Sequence, residues 1–149
     1  MFNKVLIANR GAIARRITRT LRELGVTSVA VYAEADADSL HVREADEAWS
    51  LGDGSATETY LNQDKLFRII EDANIDAVHP GYGFLSENPD FVERCEAAGV
   101  AFIGPRPHQM TEFGLKHTAR EIAEKAEVPL LPGTGLLEDK ASALKAADD

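Results

Sequence analysis

The chain of 149 residues is short of several things, and each shortage closes off a class of protein. It has one cysteine, Cys95, so an internal disulfide is excluded and a reduced, cytoplasmic setting fits. No apolar run approaches the ~20 residues that a bilayer-spanning helix needs, so no membrane helix is expected. The start, Met1-Phe2-Asn3-Lys4, enters an apolar run at once and lacks signal-peptide architecture. Positive charge is scarce: 16 Lys and Arg stand against 25 Asp and Glu, a formal charge of −9. Such a chain is repelled by phosphate backbones, which argues against general nucleic-acid binding. The 4 histidines and the one cysteine show no metal-ligand spacing. A nucleophile elbow, a P-loop and the G-x-G-x-x-G dinucleotide fingerprint are all missing.

What is present is ordinary globular material, 44% hydrophobic and 28% charged. A chain near 150 residues buries roughly 68–70% of its unfolded surface, enough for a true core. Short apolar runs alternate with amphipathic stretches. Val5–Ala8 reads as a buried strand. Ile13, Ile17, Leu21 and Leu24 then mark one helical face, which Gly25 ends. Ser28–Tyr32 is a second strand, and a short helix around His41–Ala45 and a short strand around Ala48–Leu51 follow. Leu66, Ile69, Ile70 and Ala73 mark another helix, and Ile75–Val78 another strand. Asn88-Pro89 starts a helix, with Asn as cap and Pro in the first helical position. Phe91, Val92 and Cys95 share a face of it, which makes Cys95 a packed small hydrophobe rather than a reactive thiol. Val100–Ile103 is the last strand. The β-α-β order predicts an α/β fold, a parallel sheet with helices on both faces.

After Pro107 the pattern changes to a long helical stretch broken near Gly114, an extended Pro129–Gly133, and a last helix from Ala141 to Asp149. A boundary is expected near Gly104–Pro107. The final helix has no element after it, which reads as a truncated chain.

Four segments could carry chemistry. Asn9-Arg10-Gly11 follows the first strand at the sheet edge where ligands sit in such folds, although a plain turn satisfied by Asn9 explains it too. Arg15, Arg19 and Arg22 form a stripe, with Arg19 and Glu23 spaced as an i,i+4 pair; it is either a solvated face or an interface. His79-Pro80-Gly81-Tyr82-Gly83-Phe84-Leu85-Ser86-Glu87-Asn88 joins a strand to a helix at the same edge. Its glycines let a backbone approach a ligand while Tyr82 and Phe84 project; alternatively the turn is plain and the rings are tucked into the core. Lys116 and His117 lie beyond the boundary, and a lone helical lysine is normally solvent-exposed. His41 and His108 stand in polar surroundings and are expected at the surface.

Taken together, Lys4–Gly11, His41-Val42 with Ala45-Asp46-Glu47, Tyr60-Leu61-Asn62, His79–Asn88 and Phe102-Ile103-Gly104-Pro105 resemble the N-terminal domain of biotin carboxylases, in the family's order and spacing. Phe113–Arg120 and Val128–Leu137 look most like urea carboxylases, the urea amidolyases included; acyl-CoA and pyruvate carboxylases usually have Gly-Asp-Lys around Lys116. Guanidine carboxylases are close relatives.

The resemblance implies an α/β domain over residues 1–106 and the start of an ATP-grasp domain over 107–149. It implies a parent ligase that uses ATP, biotin and magnesium. Bicarbonate is phosphorylated by ATP, carbon dioxide is released beside biotin, and the carboxyl group passes to urea. By position, Lys116 matches a lysine that contacts ATP, Tyr82 and Gly83 match a loop bordering the biotin site, and Arg19 and Glu23 match positions at a homodimer interface. No catalytic residue and no metal ligand of the family falls within this chain. The implied partners are a biotin carboxyl carrier domain and the rest of the ATP-grasp domain. The isolated chain is expected to be inactive. A guanidine or acyl-CoA/pyruvate-type carboxylase, and a non-catalytic interaction or dimerisation module, are the alternatives. One departure from the family is Ala12, where glutamate is usual.

Overall fold

The computed structural model describes residues 1–148; the expected last helical residue, Asp149, lies outside them. The chain divides into two units, Met1–Pro107 and the stretch from His108 onward, each considered by itself.

The first unit is built on five short strands: β1 (Lys4–Ile7), β2 (Thr27–Tyr32), β3 (Glu47–Ser50), β4 (Ala77–His79) and β5 (Ala101–Phe102). All pairings are parallel and the spatial order is β3-β2-β1-β4-β5. The parallel sheet expected from the sequence is therefore present. Its helices are α1 (Gly11–Glu23), α2 (Leu40–Glu44), α3 (Gln63–Asp72) and α4 (Pro89–Ala97), with one 3-10 turn at Glu34–Asp36.

Side chains alternate across the pleat, so each strand supplies both faces. Leu6, Val29, Val31 and Val78 point to one face, where Leu66, Ile69 and Ile70 of α3 and Phe91 and Cys95 of α4 cover them. Val5, Ile7 and Ala77 point to the other, against Ala14, Ile17 and Leu21 of α1. Both layers are dry: Leu6, Val5, Ile7, Leu66 and Phe91 are fully buried. Cys95 is buried as expected, and burial pushes its thiol up to about 11, where little thiolate forms near neutrality.

Element ends follow local chemistry. The Asn62 side chain accepts from the Lys65 N–H and the Asn88 side chain from the Phe91 N–H, so α3 and α4 both begin on asparagine caps. Gly25 and Gly99 follow α1 and α4 in the left-handed region, the usual exit from a helix. The strand expected over Ile75–Val78 begins only at Ala77, and the Asp76 carboxylate takes the N–H groups of Asn3 and Lys4 at the foot of β1.

The second unit holds α5, which starts at the junction (Pro107–Gly114), α6 (Lys116–Lys125) and α7 (Lys140–Asp148). The break falls between Gly114 and Lys116. From His108 onward only Met110 is buried among the described residues, whereas Phe113, Leu115, Leu131, Leu136 and Leu144 are exposed.

Candidate functional site

The sheet order sets where a ligand can enter. From β1 the chain passes through α1 to β2 on one side. From β4 it passes through α4 to β5 on the other. The loops after β1 and β4 therefore part company, and the crevice between their carboxyl ends is the position that binds ligands in open parallel sheets. An open crevice of ≈ 380 Å³ lies there. Asn9, Arg10, Gly11 and Ile13 form one wall, and Tyr82, Gly83 and Phe84 form the other.

Asn9 fastens the walls together. Its side-chain amide donates to the Pro80 and Tyr82 carbonyls, both at 2.8 Å, while its Oδ1 accepts the Arg10 N–H at 2.9 Å. Asn9 is buried, so these bonds are shielded from water. Gly81 sits against it with φ of +66°, and a Cβ at that position would stand 2.8 Å from Asn9 Nδ2. Glycine is required there by both backbone and space. The compact turn weighed for Asn9 is present, and it lies at the sheet edge where ligands sit in such folds.

His79 adds a second tie. Its Nδ1 accepts the Gly81 N–H at 3.0 Å, and burial lowers its pKa, so the ring is held neutral with its proton on Nε2. The two aromatic rings of the loop divide between the two expectations. Tyr82 projects, 67% exposed. Phe84 is tucked in, stacked on Tyr60 with centroids 5.2 Å apart. Beside Gly83, at φ +65°, there is open space within 4 Å of where a Cβ would be, so a ligand can reach the backbone.

Below the Arg10 wall, Asp36 accepts from Arg10 Nη1 at 3.0 Å and from the Tyr60 hydroxyl at 2.6 Å. Burial alone would raise the Asp36 pKa, but the Tyr60 hydroxyl and the Arg10 guanidinium outweigh it and hold the carboxyl below its usual value. Burial, reinforced by the Asp36 carboxylate, pushes the Tyr60 phenol upward, so it stays a donor. Tyr60 and Asp36 carried no site role in the sequence reading. They lie in the least regular stretch and 24 residues apart, and no spacing rule pairs them.

Two expectations need correcting. His41 is not at the surface but 1% exposed, because α2 lies on α1 and β2 and turns the ring inward. Neither ring nitrogen completes a hydrogen bond. Burial lowers its pKa, against a smaller opposing pull from the nearby Val31 backbone and Asp36. Arg19 and Glu23 also fail to form their i,i+4 ion pair; both are exposed, and no salt bridge joins them among the described residues. The rest of the arginine stripe is not simply solvated. Arg15 binds the Glu44 carboxylate through two nitrogens, at 2.9 and 2.5 Å, and Arg22 donates to the Glu44 carbonyl at 2.6 Å, which locks α2 to α1.

Of the expected site residues, Tyr82 and Gly83 meet in the crevice. Arg19 and Glu23 lie on α1 and do not line it. Lys116, in the second unit, is the exposed first residue of α6. A larger groove of ≈ 480 Å³ runs along α1, lined by Met1, Phe2, Leu24 and Ile103 among others. It is mostly apolar, with Arg16, Thr20 and His79 as its polar lining, whereas the crevice lies at the parting of the β1 and β4 loops and is the candidate ligand site. Among the described residues no cluster of His, Cys, Asp or Glu could hold a metal, and no helix is long and apolar enough to cross a membrane.

Comparison with known proteins agrees with this fold. The model of the family "Biotin carboxylase, N-terminal domain" matches residues 1–110. A urea amidolyase of Lachancea kluyveri is 50% identical over 147 residues, covering 99% of this chain and 8% of its own length. Biotin carboxylase 1 of Bacillus subtilis is 47% identical over 150 residues, 100% of this chain and 33% of its own. The crystal structure of the biotin carboxylase domain dimer of Hydrogenobacter thermophilus 2-oxoglutarate carboxylase, in complex with MgADP and bicarbonate, superposes with a TM-score of 0.86 at 40% identity. That match covers 99% of this chain and 33% of the other. The chain thus spans between a twelfth and a third of the relatives it matches.

Proposed function

The chain belongs to the biotin carboxylase N-terminal domain family, and from that premise we propose that it is the sheet domain and first ATP-grasp helices, residues 1–106 and 107–149, of an ATP- and biotin-dependent cytoplasmic ligase, a urea carboxylase. In such an enzyme ATP activates bicarbonate and biotin carries the carboxyl group to the acceptor. The residues of this chain bind and orient. Tyr82 and the open backbone at Gly83 border the biotin ring, on a loop that Asn9 holds in place. Lys116, exposed and in no ion pair among the described residues, offers its ammonium to the nucleotide phosphates. Arg19 and Glu23, exposed and free of each other, face a second copy in a homodimer. The remaining ATP-grasp domain and a biotin carboxyl carrier domain are the other partners.

The observation that carries this reading is the crevice at the parting of β1 and β4, where the residues matching the family's biotin-side loop are presented on a fixed backbone. Urea is favoured over other acceptors by the sequence around Lys116 and over Val128–Leu137, since 50% and 47% identity to the two relatives do not separate them. The test is ATP hydrolysis by the natural-length polypeptide with bicarbonate and magnesium, with and without urea. Urea stimulation is the expected result. Hydrolysis indifferent to urea moves the acceptor to guanidine or an acyl thioester. No hydrolysis leaves a non-catalytic interaction module. The isolated 149-residue chain is expected to show no turnover, and bicarbonate-dependent hydrolysis by it above a mock preparation overturns that expectation.

A further inference from the structure

Both walls of the crevice lead to a single carboxylate oxygen. From the β1 side, Arg10 reaches Asp36 Oδ2 with Nη1 at 3.0 Å. From the β4 side the route is longer. Phe84 lies flat on the Tyr60 ring, 5.2 Å between centroids and 8° between planes, and the Tyr60 hydroxyl donates to the same Oδ2 at 2.6 Å. That hydroxyl also accepts the Ala33 N–H at 3.1 Å, so Tyr60 is tied to the end of β2 as well. The Arg10 guanidinium lies 5.6 Å from the Tyr60 ring centroid, which closes the circuit.

Phe84 is where this arrangement acts. Its φ is +42°, in the left-handed region, which a bulky side chain occupies only when its surroundings hold it there. Asn9 fixes the carbonyls of Pro80 and Tyr82 but does not hydrogen-bond Phe84. The ring contact with buried Tyr60 anchors Phe84 at the downstream end of the turn that presents Tyr82 and Gly83, beside the Ser86 N–H bond to the Gly83 carbonyl.

We propose that Asp36 and Tyr60 are positioning residues that set the separation of the two crevice walls and, through Phe84, hold Tyr82 and Gly83 where a ligand meets them. This rests on the reading of the Tyr82–Gly83 loop as the biotin-side loop. Neither residue lines the crevice, so the effect expected of them is on binding there and not on the nucleotide.

The experiment compares Tyr60→Leu, Tyr60→Phe and Asp36→Asn with Tyr82→Ala in the natural-length polypeptide, reading KM for free biotin, KM for ATP and kcat separately. Tyr60→Leu removes the stack and the hydroxyl, and it is expected to raise the biotin KM about tenfold with the ATP KM within about twofold, since a misplacement near 1 Å is worth up to ~10²-fold. Tyr60→Phe keeps the stack and is expected to raise it about two- to threefold, as is Asp36→Asn. A purely structural role would lower the melting temperature and leave the biotin KM alone. If Tyr60→Leu does not fold, the two isosteric variants decide, and an unchanged biotin KM in both overturns the proposal. If Tyr82→Ala itself leaves the biotin KM unchanged, it is the loop reading that fails. Backbone amide relaxation at Gly81 and Gly83 in the 149-residue chain then tests the positioning alone: added motion in Tyr60→Leu supports it, and unaltered amides overturn it.

Discussion

The two units of this chain differ in what makes them fold. Met1–Pro107 puts a five-stranded sheet between two dry layers, and most of its large apolar side chains are hidden. From His108 onward the described residues hold three helical elements with one buried side chain, Met110, and a row of exposed leucines. The composition of the two parts is not the cause, since both are rich in apolar residues. A sheet gives every strand two faces to cover and so gathers helices from distant parts of the sequence. Three helices in about 40 residues have no such template, and a segment that short rarely buries enough surface by itself. The functional consequence follows. The Tyr82 loop is held by bonds inside the first unit and is defined by this chain alone, whereas Lys116 is placed only by the helix that begins with it.

Truncating a large apolar side chain in each unit tests the contrast where it should be largest. Phe91 is fully buried, in edge contact with Phe67 and Phe102. Phe91→Ala is expected to lose about 3–5 kcal/mol, the usual range for a buried phenylalanine. Leu131→Ala, at a site 85% exposed, is expected to stay within about 0.5 kcal/mol. Chemical denaturation followed by circular dichroism measures both. Comparable losses would mean that the second unit has a core of its own, and the comparison would break.

Two glycines sharpen it further. Gly81→Ala forces a Cβ into Asn9 at a positive φ and should cost about 1–3 kcal/mol, with loss of the fixed loop. Gly114→Ala ends α5 with open space around it and should be neutral or stabilising by up to about 1 kcal/mol. Thermal melts of the two variants read the difference, and equal melting temperatures would show that the Asn9–Gly81 contact does not matter to stability.

Much of this was legible in the sequence. Strands β1 and β2 and helices α1, α3 and α4 were expected within a residue or two, because each carries several turns of helical spacing or a full apolar run bounded by Gly, Asn or Pro. The short α2 and β3 were expected as well, around His41–Ala45 and Ala48–Leu51. What the sequence could not supply was the side on which the short elements pack. A five-residue helix has no periodicity to define a face, so nothing in the sequence showed that His41 turns inward. The Arg15–Glu44 pair spans 29 positions and the Tyr60–Asp36 bond spans 24, and only the docking of α2 and the turn after β2 makes them neighbours.

His41 gives the smallest predicted effect and the finest test of how the first unit is packed. Burial holds its folded pKa below the ordinary value near 6.5, against smaller pulls toward protonation from the Val31 backbone and Asp36, while Arg10 acts with burial. Between the folded and unfolded values the unfolded chain takes up a proton that the folded chain refuses. Stability therefore rises with pH across that window and is lost as pH falls below about 6.5. His79, also lowered by burial, contributes in the same direction, so the informative quantity is the difference between the chain and its His41→Leu variant. The variant removes two buried nitrogens that complete no hydrogen bond. It is expected to match or exceed the original stability at pH 7.5, and to lose less on acidification to pH 5.5, as replacing unsatisfied buried polar atoms by apolar ones predicts. Urea denaturation at the two pH values measures this. An identical acid loss in both proteins would mean that the ring charges freely, and hence that α2 opens from α1 despite the Arg15–Glu44 lock.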